Sequence, residues 1–131
     1  MNITIVPTTA LFVGLHALLA MALVFKVMRF RLKDKIVFGD GGNEDMQRAL
    51  RVQANFIEYV PLALIIILVL ELQGARNVLL YGLGTALFFG RALHAYGLSR
   101  TSESSPGRLV GTLLTWVVYF VGAIACLIYS L

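Results

Sequence analysis

The chain has 131 residues, 59% of them hydrophobic, and a mean hydropathy of +0.84, too apolar for a water-soluble domain of this size. Its net charge of +4 is gathered near a few segment ends, which reads as a membrane-orientation signal, and no nucleic-acid partner is expected. A single cysteine, Cys126, excludes an internal disulfide and a cysteine-based metal site, and no metal is expected.

Four apolar segments, at about 5–28, 47–72, 77–98 and 107–130, are expected to be helices crossing the membrane within one all-α domain. A hydrocarbon core of about 30 Å needs about 20 helical residues. The runs do not alternate apolar with polar residues, which favours helices over a β-barrel. No basic residue precedes Lys26, so the first segment, starting after Asn2-Ile3-Thr4-Ile5, is expected to be a retained span and not a cleaved signal. Basic residues cluster around the first connection (Lys26, Arg29, Arg31, Lys33, Lys35, Arg48, Arg51) and the third (Arg91, Arg100, Arg108), with Arg76 alone in the second. The positive-inside rule then places the first and third connections in the cytoplasm and both termini outside.

In span 1, Pro7 and Thr8-Thr9 suit a first helical turn. His16 lies deep in the span, where an ionisable group is a functional candidate; the plainer reading is a neutral histidine bonded to a neighbouring helix. The basic run 26–35 is either an orientation signal and headgroup anchor or the source of an arginine that captures an anion. Gly39-Asp40-Gly41-Gly42 is a turn without the lysine and hydroxyl residue of a phosphate loop.

Asn43 is an expected N-cap, with Glu44 and Asp45 complementing the helix dipole. The second helix, from about Glu44 to Leu72, carries Arg48, Arg51, Asn55 and Glu58 as one polar stripe, with Gln53 on another face. Pro61 removes the partner of the Ile57 carbonyl and is expected to kink or loosen the helix. Gly74 reads as a helix stop and Asn77 as the next N-cap. Gly82, Gly84 and Gly90 suit close helix packing. Arg91, His94 and Leu98 share a face near the end of span 3. Ser105 is an expected N-cap with Pro106 at N1. Arg108, in the first turn of span 4, is unfavourable against the positive dipole end and calls for a partner. Trp116, Tyr119 and Tyr129 read as packing or interface anchors.

Span count alone brings Arg51, Asn55, Glu58, His94 and Arg108 to one side of the membrane. Several arginines with a carboxylate and an amide suit a small zwitterionic ligand bearing extra carboxylates. The alternative is a self-satisfied interhelical network, with Glu58 paired to Arg51 or Arg91.

Arg51-x-Gln53-x-Asn55-x-x-Glu58-Tyr59-x-Pro61, together with Arg91-x-x-His94-x-x-Gly97, resembles the signature of the MAPEG family, the membrane-associated proteins in eicosanoid and glutathione metabolism. The resemblance covers nearly the whole chain. It implies a homotrimer of four-helix subunits binding glutathione between neighbouring subunits at the cytosolic side. On the matching positions it implies glutathione contacts from Arg51, Asn55, Glu58, Tyr59 and His94. Gln53 would serve the adjacent subunit's site, and Arg29, or alternatively Arg31, would correspond to the arginine ending span 1. Arg108 would be the catalytic residue that stabilises the thiolate.

Leu98 stands where many members have tyrosine, and Leu109 where some have serine. Tyr96 lies about 200° from Leu98 around the helix. Prostaglandin-type isomerisation is therefore not supported. The short chain and the glycine-rich loop resemble bacterial members, which implies a bacterial inner membrane. The expected activity is a glutathione transferase or peroxidase acting on lipophilic electrophiles or lipid hydroperoxides among membrane lipids. The competing reading is a non-catalytic lipid-binding or scaffold member of the same fold. A small multidrug transporter is disfavoured, because such proteins carry a carboxylate in span 1 and this chain has none there.

Overall fold

The computed structural model of the protein describes residues 5–131; the expected lead into span 1 at residues 1–4 lies outside the described residues. Four helices follow one another: α1 (Pro7–Asp34), α2 (Glu44–Leu72), α3 (Asn77–Arg100) and α4 (Pro106–Tyr129). Each is long and apolar enough to cross a bilayer. Large apolar side chains such as Leu18, Phe25, Phe120 and Leu127 point outward, as suits a protein dissolved in lipid and not in water. α2 runs unbroken through Pro61, which is exposed.

The helix ends follow local chemistry. Asn43 caps α2 by accepting from the Met46 N–H at 3.1 Å, and Ser105 caps α4 by accepting from the Arg108 N–H at 3.3 Å, as the sequence predicts. α3 differs. Its cap is Arg76, one residue before Asn77, and no side chain caps the end. α1 also lacks a cap of its own, since Val6 precedes Pro7. The carboxylate of Glu71, at the end of α2, takes that place and accepts from Thr8 N–H at 2.8 Å and Thr9 N–H at 2.6 Å. An anion at a helix N-terminus satisfies orphan donors and matches the dipole.

The first connection is held by side chains. Arg31 donates to the carbonyls of Ile36 and Gly39, both at 3.3 Å. Asp40 accepts from the Gly42 N–H at 2.8 Å and from Gln47 Nε2 at 2.7 Å. These two donors favour the ionised form and lower the Asp40 pKa below its ordinary value. Gly39, Gly41 and Gly42 all have positive φ, which explains the glycine run.

α2 and α3 form the central pair. α1 packs on both from one side and α4 on both from the other, and α1 and α4 do not meet. Close approach of α3 and α4 rests on facing glycines. A Cβ on Gly111 would strike the Gly90 carbonyl and the His94 backbone, and one on Gly97 would meet the Arg108 backbone nitrogen. Gly84 similarly accommodates the ring of Phe12 on α1. Gly82 does not serve packing, since a Cβ there meets nothing within 4 Å.

His16 is 1% exposed, but its partner is not on a neighbouring helix. Nδ1 donates to the Phe12 carbonyl of its own helix at 2.6 Å, and the ring packs against Phe56 and Phe88.

Candidate functional site

The polar stripe of α2 meets α3 and α4 around Arg91. This arginine is only 2% exposed. Its guanidinium donates to Asn55 Oδ1 on α2 and, at 3.1 Å, to Thr115 Oγ1 on α4. It lies over the Tyr59 ring, 5.7 Å from the centroid, a favourable cation–π position. Tyr59 is itself fixed edge-on against Tyr119, whose hydroxyl donates to the Tyr59 carbonyl at 2.6 Å. Thr115 also donates to the Gly111 carbonyl at 2.8 Å. Arg91 thus ties three helices at one level.

Among the described residues no carboxylate lies within ion-pair distance of Arg91, and its Nε has no partner. Of the two partners expected for Glu58, the structure selects Arg51. Arg51 Nη1 stands 3.2 Å from Glu58 Oε1, both side chains about half exposed. A pair that open contributes little on its own, so Glu58 remains accessible. His94 is 3% exposed with Nδ1 unpartnered. It lies within electrostatic reach of Arg51, Arg91 and Arg108. Arg108 is half-buried at the start of α4, and its guanidinium donates to the Ser102 carbonyl at 3.4 Å. Arg48, the first residue of the stripe, is instead held by Asp45, Glu44 and Ser102.

The structure therefore gathers Arg51, Asn55, Glu58, Tyr59, His94 and Arg108 at one end of the bundle. Two expected site residues lie elsewhere in the chain. Gln53 borders an apolar groove between α1 and α2 with Leu23, Phe56 and Pro61. Arg29 is exposed on α1 in a basic groove with Lys26 and Lys33. Arg31 is engaged by the first connection. Leu98 is 5% exposed and packs with Leu23, Val52 and Ala95. Tyr96 is exposed and stacks with Arg100, so it does not stand in for the missing tyrosine.

The central roles of two residues, Arg91 and Thr115, do not follow from the sequence pattern. In the sequence Arg91 stands only in the span 3 motif and as an alternative partner for Glu58, with no ligand role, and Thr115 is one hydroxyl in an apolar span. A sequence signal exists for each. Arg91 is the one cation well inside span 3, and Thr115 lies seven residues after Arg108, on the same face of α4.

Chemically, the arrangement is a cluster of cations around a buried guanidinium that has no carboxylate partner among the described residues, next to an open carboxylate. It defines a four-span helical membrane protein with a cationic cluster at one end of its bundle. Residues 9–128 match the MAPEG family model, and the chain belongs to the MAPEG family. It is 34% identical over 121 residues to the inner membrane protein YecN of Escherichia coli strain K12, covering 92% of this chain and 91% of that protein. The YecN protein of E. coli O6:H1 strain CFT073 matches to the same extent.

Proposed function

We propose that the protein is an inner-membrane, glutathione-dependent transferase with peroxidase capacity, assembled as a homotrimer and acting on lipophilic electrophiles or lipid hydroperoxides. The observation that carries this reading is Arg91, a buried cation without a carboxylate partner. Burying an unpaired charge is costly, and an anionic ligand offsets that cost. Glutathione fits the charges. Arg51 and Arg91 suit its carboxylates through forked hydrogen bonds, and Glu58 suits its ammonium group. Arg108 is the cation for the sulfur. Gln53 and Arg29, which stand apart from the Arg91 cluster within one chain, suit a neighbouring subunit's site.

A cysteinyl thiol titrates near 8.5, and an adjacent guanidinium lowers that value and populates the thiolate. The thiol proton passes to water. The sulfur forms a bond to an electrophilic carbon, and the leaving group departs with the bonding pair. With a hydroperoxide, the sulfur takes the terminal oxygen and the alkoxide leaves as an alcohol. A second glutathione then forms the disulfide and releases water.

The second reading, a non-catalytic member of the same fold, is favoured by Leu98, which stands where many family members carry tyrosine and is packed in an apolar cluster with Leu23, Val52 and Ala95. One titration separates the two. Glutathione is added to purified protein at neutral pH while thiolate ultraviolet absorbance is followed, for the unaltered chain and for Arg108→Ala. The transferase reading expects a thiolate signal that falls in the variant. Binding without a thiolate signal in the unaltered chain sinks it in favour of the non-catalytic one.

A further inference from the structure

The glycines of α3 divide into two kinds. Gly84, Gly90 and Gly97 each face an atom of another helix or of the α3–α4 connection that a Cβ would crowd. Gly82 faces open space, although glycine is the poorest helix former after proline. That space is part of a groove of about 570 Å³ between α3 and α4, walled by Leu83, Ala86, Val117 and Val121, with Arg76 at its mouth.

The groove has the dimensions of one lipid chain in one leaflet. From Arg76 to Ala86 is ten residues of α3, about 15 Å along the axis, or half of a hydrocarbon core of about 30 Å. Arg76 is exposed and occupies the N-cap of α3. A cation there opposes the positive end of the helix dipole. No carboxylate lies within ion-pair distance of it among the described residues, and neighbouring Glu71 is engaged by Thr8 and Thr9. One cation above a long apolar trough complements an amphiphile with one anionic head and an extended chain.

We propose that this groove is a phospholipid site, with the phosphate on Arg76 and one acyl chain lying over Gly82 toward Ala86. It lies at the end of the bundle bearing the α2–α3 connection, away from the Arg91 cluster, and is independent of the glutathione reading.

The test is native mass spectrometry of the purified protein in detergent, titrated with dioleoyl phosphatidylglycerol and, separately, with dioleoylglycerol. The variants are Gly82→Leu, Arg76→Gln and Arg76→Lys. Gly82→Leu fills the trough from a position where a Cβ meets nothing, so the fold is retained, and thermal unfolding checks that it is. The expected result is one tightly held phosphatidylglycerol per chain and loss of that species in Gly82→Leu. Arg76→Gln is expected to weaken binding about fivefold, with recovery in Arg76→Lys. Dioleoylglycerol is expected to bind more weakly. Equal retention of the two lipids, or undiminished retention in both Gly82→Leu and Arg76→Gln, overturns the proposal. A change of oligomeric mass in Gly82→Leu overturns it in favour of a second copy of the chain as the occupant.

Discussion

The carboxylate of Glu71 accepts the Thr9 backbone N–H at 2.6 Å, joining residues 62 positions apart. Its other oxygen takes the Thr8 N–H, so one side chain from the end of α2 caps the whole first turn of α1. Glu71→Ala is expected to destabilise the protein by about 1–2 kcal/mol. Glu71→Gln, which keeps one accepting oxygen, should lose roughly half of that. Hydrogen exchange should show the Thr8 and Thr9 amides opening first; unchanged protection there would refute the assignment.

Arg91 separates stability from ligand binding. Arg91→Met removes a buried cation that has no carboxylate partner; Thr115 keeps its bond to Gly111, and Asn55 Oδ1 loses its donor. The expected outcome is a protein whose stability stays within about 2 kcal/mol of the original, because relief of the buried charge offsets the orphaned Asn55 oxygen, and that has lost at least about tenfold in glutathione affinity. Thermal unfolding and calorimetry read the two quantities separately. A large fall in stability with affinity intact would mean that Arg91 is only a strut.

Two glycines should respond to alanine with opposite signs. Gly14 lies in α1 with nothing within 4 Å of an added Cβ, so Gly14→Ala should stabilise by about 0.5–1 kcal/mol. Gly111→Ala drives a methyl into the Gly90 carbonyl and the His94 backbone. It should cost about 1–3 kcal/mol and shift His94. Denaturant or thermal unfolding of the pair checks the sign directly.

Asp40 supplies a pH dependence confined to acid. Its folded pKa lies below the unfolded value of about 3.9. The contribution is therefore complete above that value and is lost as pH falls through the folded pKa. The Gly42 amide should stay protected at neutral pH and lose protection only below about pH 4. Asp40→Asn should show reduced protection at every pH. Protection lost near neutrality would point to a different group.

The four helices were legible because a bilayer imposes their length and hydropathy. The Asn43 and Ser105 caps were legible because a short polar side chain before a helical run is a local signal. What escaped was pairwise and long-range. Spacing on α2 shows that Asn55 faces inward, but not that its oxygen is taken by Arg91, 36 residues later. The cap of α1 comes from the far end of another helix. His16 turns back on Phe12, a choice made by the apolar wall of Phe56 and Phe88. The Asn77 cap failed because Arg76 supplies the extended backbone of the cap without a side-chain oxygen.

The separation of α1 from α4 has a genetic consequence. Arg29 rides on α1 and Arg108 on α4, on opposite flanks of the central pair. In the proposed assembly, a site using both draws them from different copies of the chain. Two defective alleles, Arg29→Ala and Arg108→Ala, should then complement when expressed together, since a mixed oligomer contains intact composite sites. Chains carrying both substitutions should not be rescued by one another.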